Sequence, residues 1–209
     1  MTLAEGIAAL GLDLPAGAEQ KLLAYLALLA KWNKVYNLTA IRDPDEMVTH
    51  HLLDSLSVLP ALEHDAQNSA LAGRSYRLAD IGSGAGLPGI VLAIARPAWS
   101  ITSVEAVEKK SAFQQQAKIE LGLGNVSIHS GRVEDLTTTF DGVIARAFAS
   151  LADFLHLAGH LSNHLWAMKG AYPADEAAAL PANWRVVKNH HISVPGLPAA
   201  RCLLQLERE

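Results

Sequence analysis

Four glycines and an acidic residue mark the stretch of sequence best suited to bind a cofactor. Residues 77–89 read R-L-A-D-I-G-S-G-A-G-L-P-G, so a short apolar strand runs through Asp80 into Gly82, Gly84, Gly86 and Gly89. Glycine suits backbone that takes a positive φ or lies directly against a ligand, and the apolar helical run Ile90–Ala95 begins just beyond. Because the N-terminus of a helix offers unpaired N–H groups, this strand, turn and helix predict a nucleotide-cofactor site.

The spacing of the glycines separates two cofactor classes. The dinucleotide fingerprint G-x-G-x-x-G requires glycine three residues after Gly84, where this chain has Leu87. The D-x-G-x-G-x-G turn instead resembles the first motif of S-adenosylmethionine (SAM) methyltransferases, so Asp80, Gly82, Gly84 and Gly86 are predicted to bind SAM. An NAD-dependent oxidoreductase fits the spacing less well, and a glycine-rich turn without a ligand remains the structural alternative.

A second carboxylate follows at the distance that a nucleotide site requires. The predicted strand Ile101–Val104 ends at Glu105, 19 residues after Gly86. An acidic residue about 20 residues beyond the glycines, at the end of the next strand, accepts hydrogen bonds from both ribose hydroxyls. We therefore expect Glu105 to bind the ribose, the alternative being a solvated residue at a strand end.

Composition limits the class of protein. The 209 residues are half hydrophobic, which suits one domain with a peripheral extension. The longest strongly apolar run, Leu22–Ala30, is too short to span a bilayer, and the N-terminus lacks a signal-peptide pattern, so a cytoplasmic location is predicted. The single cysteine, Cys202, cannot form an internal disulfide, and no Cys/His spacing suggests a metal. The net charge of −4 gives no support to a nucleic-acid partner, so RNA contact requires a local basic patch.

The remaining pattern predicts two regions. Residues 1–75 are read as an N-terminal helical extension, with a third helix starting at Asp43 and a linker of little structure over Pro60–Ser75. Residues 76–209 alternate strands and helices and close on a strand pair. Further predicted strands are Val126–His129, Phe140–Ala145, Leu165–Lys169, Trp184–Lys188 and Cys202–Leu206. The prediction is an α/β fold with a mainly parallel, seven-stranded, Rossmann-like methyltransferase sheet.

Five stretches spread over nearly the whole chain are similar to one family. They are W-N-K-V-Y-N-L-T at 32–39, H-H-L-L-D-S at 50–55, D-I-G-S-G-A-G-L-P-G at 80–89, F-D-G-V-I-A-R-A-F-A-S at 140–150 and M-K-G at 168–170. Together they resemble the RsmG family of ribosomal small-subunit methyltransferases, also called the glucose-inhibited division protein B family. The resemblance implies methyl transfer from SAM to N7 of one guanine of 16S rRNA, at the position usually numbered 527.

The resemblance also assigns residues to the cofactor. Matched position by position, the SAM contacts fall on Gly82, Leu87, Val133, Glu134 and Arg146, with Glu105 in the acidic position. Three places depart from the family pattern. Glu105 stands where Asp is common and His50 where Arg is usual, while Gln114, Gln115 and Gln116 occupy positions that are frequently basic. RNA contact along that helix is therefore expected to be weaker.

Basic residues near the predicted cofactor edge are candidates for RNA binding, because phosphate contacts position a nucleic acid. They are Lys109, Lys110, Arg146 and Lys169, with a surface ion pair or a solvated side chain as the alternative for each. Phe148 suits either stacking on the target base or, more simply, core packing. No side chain is assigned as a catalytic acid or base.

Two other functions stay open at this level. One is a SAM-dependent methyltransferase of a small molecule, which the acidic net charge suits. The other is a non-catalytic RNA- or ribosome-binding protein with a vestigial cofactor site. The partners implied by the resemblance are 16S rRNA and the small ribosomal subunit, with no membrane or metal and with the protein acting as a monomer.

Overall fold

A seven-stranded sheet organises the chain. The computed structural model describes residues 1–68, 74–148 and 150–209. The strands are β1 Arg77–Ile81, β2 Ser100–Glu105, β3 Val126–Ser130, β4 Gly142–Arg146, β5 His164–Lys169, β6 Trp184–Ile192 and β7 Arg201–Arg208. Their order in the sheet is β3-β2-β1-β4-β5-β7-β6, and β7 runs antiparallel to both of its neighbours. The other neighbouring strands pair in parallel, so the predicted mainly parallel α/β fold is confirmed.

Helices cover both faces of this sheet. They are α1 Leu3–Ala9, α2 Ala18–Tyr36, α3 Pro44–Met47, α4 Asp54–Leu56, α5 Leu59–Asn68, α6 Gly89–Ala95, α7 Glu108–Glu120, α8 Leu151–Ala158 and α9 Ala174–Ala178. A π-helix, Val48–Leu53, joins α3 to α4, and a 3-10 helix, Val133–Asp135, follows β3. Capping residues in the sequence determine where some of these helices begin. Asp43 caps α3 by accepting from the N–H of Asp45 at 2.9 Å, and Ser150 caps α8 in the same way.

One prediction about the N-terminal half was wrong. The stretch expected to be an unstructured linker over Pro60–Ser75 is helical as far as Asn68, and residues 69–73 lie outside the described residues. The helix forms because Leu59 and Leu62 turn one face into the core, while its polar residues occupy the other face. The third helix, by contrast, begins at Asp43 as predicted and runs on through the π-helix into α4.

The N-terminal helices share one hydrophobic core with the helices that follow the glycine turn. Phe113 of α7 packs between two aromatic side chains of α2, with its ring centroid 6.0 Å from that of Tyr25 and 5.7 Å from that of Trp32. Buried leucines of α2 and α5 join the same cluster as the apolar side chains of α6. The N-terminal extension therefore packs against α6 and α7, the helices next to the predicted cofactor site. A second cluster, on the opposite face of the sheet, packs α8 against β4, β5 and β7.

Strand register brings the predicted site residues to one edge. Ile81, the last residue of β1, pairs with Val104 of β2 on one side and with Ala145 of β4 on the other. The residues that come next, Gly82, Glu105 and Arg146, therefore emerge side by side at the carboxyl edge of the sheet. Ligands of open α/β sheets bind at this edge.

Candidate active site

The four glycines of the turn divide into two kinds. Gly82 and Gly84 have left-handed backbones, with φ of +64° and +60°, and face space rather than packed protein. A methyl group added at Gly84 would meet no atom within 4 Å, and one at Gly82 would meet only the Phe148 ring, 3.7 Å away. Gly86 and Gly89 instead face the interior, where a Cβ would lie 2.4 Å from the Ile90 side chain and 2.7 Å from Asp80, respectively. The first pair lets a ligand approach the backbone, and the second pair lets the turn close.

Asp80 acts inside the turn. Its side chain is completely buried, and Oδ2 accepts a hydrogen bond of 2.7 Å from the N–H of Gly89, the first residue of α6. This bond satisfies one of the unpaired N–H groups of the helix terminus. Burial raises the pKa of Asp80 to about 7, although the Gly89 N–H acts in the opposite direction. Asp80, which the sequence predicted to bind the cofactor, therefore holds the turn against α6 through this hydrogen bond. Its side chain has no surface exposed to a ligand.

Glu105 has the position that the ribose prediction requires. Its Oε2 accepts from the N–H of Gly84 and its Oε1 from the N–H of Val107, both at 2.8 Å. These two bonds fix the carboxylate beside the open face of the turn. Since a carboxylate offers about four lone-pair sites, it retains acceptor capacity for a pair of vicinal hydroxyls. The open backbone at Gly82 and Gly84 and the carboxylate of Glu105 therefore fit SAM, and the ribose role of Glu105 stays a prediction.

Two supports of the turn were missed by sequence reasoning. Gln114 is completely buried, and its Nε2 donates to Ser83 Oγ at 2.7 Å and to the Gly84 carbonyl at 2.8 Å. Gln114, one of the three glutamines at positions that are frequently basic in the family, thus lies beneath the glycine turn, and the expectation of weaker RNA contact along α7 stays a prediction. From α2, the Tyr25 hydroxyl donates to the Ala85 carbonyl at 2.7 Å. Helical spacing marked Gln114 only as a polar residue of α7, and no sequence pattern linked Tyr25 to Ala85.

The remaining predicted cofactor contacts lie in different surroundings. Leu87 is buried in the core, and its N–H donates to the Ser83 carbonyl at 2.9 Å. Val133 packs in the core beside the exposed Glu134 on the 3-10 helix that follows β3. Glu134 forms an ion pair with Arg132 at 2.6 Å, and this hydrogen bond lowers the pKa of the Glu134 carboxyl. Cofactor contact at Leu87, Val133 and Glu134 stays a prediction.

Arg146 belongs to a charged cluster that links distant parts of the chain. Its Nη1 donates to Asp54 Oδ2 at 3.2 Å and to the His50 carbonyl at 3.0 Å. The other oxygen of Asp54, Oδ1, accepts from Nε of Arg201 at 3.1 Å. The Asp54 side chain is only 6% exposed, against 23% for Arg146 and 27% for Arg201. One buried carboxylate thus holds two partly exposed guanidinium groups, and Arg201 was not identified from the sequence.

A cleft opens beside this cluster, between the π-helix and the carboxyl ends of β4 and β5. We call it the β4–β5 cleft. It encloses about 400 Å³, and its lining combines polar with apolar residues. The lining residues are Ile41, His50, His51, Asp54, Ser57, Val58, Arg146, Ala147, Met168, Lys169, Gly170, Ile192, Arg201 and Cys202. Ala147 has a left-handed backbone with φ of +59°, which is strained for a residue with a Cβ and is typical of functional sites.

His51 contributes a neutral imidazole to the wall of the cleft. The ring is buried, and its Nε2 lies 2.9 Å from Thr39 Oγ1. Burial, with the nearby charge of Arg146 as the second cause, lowers the pKa of His51 to about 4. Its Nδ1 has no hydrogen-bond partner among the residues that the structure describes. The atom is itself buried, so it presents almost no surface to a group in the cleft.

The other RNA-binding candidates differ in how far they are buried and in what they contact. Lys169 is largely buried, and its Nζ forms an ion pair with Glu176 at 3.1 Å and donates to the Phe148 carbonyl at 3.4 Å. The side chain therefore ties β5 to the segment after β4. Lys109 and Lys110 lie in the first turn of α7, just beyond Glu105, with Lys109 exposed and Lys110 partly buried. The Phe148 ring is partly buried, with its centroid 5.4 Å from that of Phe154, as core packing predicts. RNA contact by these lysines stays a prediction.

Over residues 1–68, 74–148 and 150–209, no three His, Cys, Asp or Glu side chains come together as metal ligands do. Within the same residues, the structure has no helix of the length and apolarity needed to cross a membrane.

Comparison with known families gives one match over most of the chain. The model of the family GidB, described as rRNA small subunit methyltransferase G, matches residues 18–204. A ribosomal RNA small subunit methyltransferase G from Azoarcus sp. (strain BH72) is 59% identical over 99% of this chain and 95% of its own length. The protein of the same name from Aromatoleum aromaticum is 52% identical over 99% of this chain and 98% of its own length.

Solved structures agree on the fold. Magnesium protoporphyrin IX methyltransferase from Synechocystis PCC 6803, with bound SAM, superposes with a TM-score of 0.59 at 14% identity, over 88% of this chain and 97% of that one. TrmN from Thermus thermophilus gives a TM-score of 0.56 at 17% identity, over 78% of this chain and 53% of that one. At these identities the likeness shows a shared fold, and the former protein holds SAM on it.

Proposed function

The chain belongs to the rRNA small subunit methyltransferase G family, and from that premise we propose that it methylates N7 of one guanine in 16S rRNA, at the position usually numbered 527. It is a SAM-dependent methyltransferase of 16S rRNA. The observation that carries the assignment is the identity of 51–59% to curated relatives over nearly the full chain. The open glycine turn beside Glu105 supports it independently.

The chain's own residues prepare the site for SAM. Gly82 and Gly84 expose backbone with no side chain in the way, and Glu105 presents a carboxylate fixed by two backbone N–H groups. Asp80 and Gln114 hold the turn in that shape from inside the protein. When bound, SAM supplies a methyl group activated by its positively charged sulfur.

N7 of guanine suits a site without a catalytic acid or base. N7 carries a free lone pair, so the bond from N7 to the methyl carbon forms as the bond from that carbon to sulfur breaks, and no proton has to be removed. The protein's task is to hold the reacting atoms in line, an effect worth up to about 7–11 kcal/mol in favourable cases. The product base is cationic, so a carbonyl or carboxylate aimed at it would stabilise it.

The experiment that tests the proposal is transfer of a radiolabelled methyl group from SAM to 30S subunits, and to naked 16S rRNA, from cells that lack the family enzyme. We expect label in the RNA of at least one substrate, and the better substrate shows whether ribosomal proteins present the target. No transfer to either, with SAM binding intact by calorimetry, would support a small-molecule acceptor instead. Neither transfer nor binding would support a non-catalytic role. The cytoplasmic location and the monomeric state belong to the same proposal.

A further inference from the structure

Most backbone N–H groups of the glycine turn are used inside the protein. Five of the six N–H groups of residues 82–87 donate to the Val104 carbonyl, the Glu105 carboxylate or the Ser83 carbonyl. In the part of the chain that the structure describes, the sixth, that of Ala85, has no acceptor. Ala85 therefore offers a backbone donor to a ligand on the turn.

Gln114 determines the direction of that donor. Its Nε2 donates to the Gly84 carbonyl at 2.8 Å, and this carbonyl belongs to the same peptide group as the Ala85 N–H. Because the peptide group is planar and trans, its C=O and N–H point in opposite directions. Gln114 is completely buried, and its side chain lies 3.4 Å from the position of a Cβ on Gly86, on the packed side of the turn. The Ala85 N–H therefore points away from that packed side, toward the open face.

The polarity of Gln114 is not required for filling the core. Its Oε1 is buried and has no hydrogen-bond partner among the described residues. A buried acceptor without a partner lowers the stability of the fold, and an apolar side chain of similar size would avoid that loss. A side chain that donates a hydrogen bond at this position is better explained by the carbonyl that it holds.

The free N–H of Ala85 suits an anionic group. SAM carries a carboxylate at the end of the molecule opposite its base, and a carboxylate only accepts hydrogen bonds. A hydrogen bond from an N–H to a charged acceptor is stronger than one to a neutral acceptor.

We propose that Gln114 is a positioning residue for the cofactor, because it holds the peptide group that presents the Ala85 N–H to the carboxylate of SAM. The inference rests on the proposed function and adds to it how the turn recognises one end of the cofactor.

The test compares Gln114 with Tyr25, which supports the next carbonyl of the turn. The Tyr25 hydroxyl donates to the Ala85 carbonyl at 2.7 Å, and the N–H of that peptide group, on Gly86, donates to the Ser83 carbonyl inside the protein. Tyr25→Phe therefore removes a buried hydrogen bond from the same turn without changing what holds the Ala85 N–H. Gln114→Leu removes the hydrogen bond that orients this N–H.

For the wild type and both variants, calorimetry measures the Kd for SAM and for decarboxylated SAM, which keeps the amine, the sulfonium and the nucleoside. Circular dichroism and thermal unfolding check the fold. Wild type should bind SAM about tenfold or more tightly than the decarboxylated compound, because the latter lacks the charged acceptor. In Gln114→Leu this preference should fall by about fivefold or more, and in Tyr25→Phe it should stay within about twofold of wild type, even where both affinities decrease.

An equal fall of the preference in both variants would overturn the inference, because a general weakening of the turn explains it. An unchanged preference in Gln114→Leu, or no preference in the wild type, would also overturn it. If Gln114→Leu does not fold, Gln114→Met, which is of similar length and has no donor, is judged by the same criteria. A wild type that binds SAM beside a Gln114 variant of unchanged preference would reject only the positioning role. A wild type that binds neither compound would overturn the proposed function together with the inference.

Discussion

The carboxylate of Glu105 accepts a hydrogen bond from the backbone N–H of Gly84, with 2.8 Å between Oε2 and N. This contact joins the acidic end of β2 to the open face of the glycine turn. A second bond from Val107 N–H holds the same carboxylate at 2.8 Å. The sequence related the glycine turn and Glu105 only by the number of residues between them. In the structure the two are in direct contact.

Replacing Glu105 by Gln tests the ribose assignment. The amide keeps the shape of the side chain but loses the charge, and hydrogen bonds to charged groups contribute about 1.5–3 kcal/mol. We expect Glu105→Gln to weaken SAM binding about tenfold or more in a calorimetric titration. The control is Glu108→Gln, since Glu108 is exposed at the start of α7. Equal affinities of the two variants would remove Glu105 from the site.

Gly82→Asp should abolish SAM binding while the fold survives. The new side chain would project from the open face of the turn, where a Cβ already touches Phe148. It would also require a left-handed backbone, which costs about 1–2 kcal/mol for a residue with a Cβ. Gly11→Asp provides the matched control, because Gly11 has φ of +66° and open space around it. Circular dichroism follows the fold, and unchanged affinity in the Gly82 variant would contradict the prediction.

Gly89→Ala is expected to act on stability. Its Cβ would lie 2.7 Å from Asp80 Oδ2 and 3.0 Å from Asp80 Cβ, and the buried Asp80 has no room to move away. Overpacking of this kind lowers the free energy of unfolding by about 1–3 kcal/mol. Gly124→Ala, whose Cβ would meet nothing within 4 Å, should change that free energy by less than about 0.5 kcal/mol. Urea denaturation measures both, and similar values for the two variants would refute the packing role.

The raised pKa of Asp80 predicts a pH dependence of a definite sign. In the folded protein this pKa is about 7, against 3.8 for an ordinary Asp. Between those values the folded state binds more protons at this site than the unfolded state, so the contribution of Asp80 to stability decreases as pH rises from about 4 to 7. Asp80→Asn cannot ionise at this position. The free energy of unfolding of Asp80→Asn, relative to wild type, should therefore increase over that range, whereas a constant difference would contradict the raised pKa.

The glycine turn and its neighbour Glu105 could be predicted because their signals are local. The glycine turn and its strand and helix lie within residues 77–95, and Glu105 follows at a fixed spacing set by the parallel strands. The linker prediction failed for a local reason too, because the many polar residues after Pro60 cover the outer face of an amphipathic helix.

The rest of the site depends on contacts that no spacing reveals. Arg201 reaches Asp54 from 147 residues away, and Tyr25 reaches Ala85 from 60 residues away. The place of Gln114 could not be predicted either, because its residue type does not indicate whether it faces water or the glycine turn. Packing of the N-terminal helices against α6 and α7 decides all three placements.

The acceptor atom that we propose is N7 of a single guanine. The most direct test treats 30S subunits from cells lacking the family enzyme with this protein and SAM, digests the rRNA to nucleosides, and identifies the methylated base by mass spectrometry. Strand cleavage at 7-methylguanine after borohydride and aniline treatment then maps its position. We predict one 7-methylguanine, at the position usually numbered 527. A methyl group on another atom, on another nucleotide or on a ribosomal protein would contradict it.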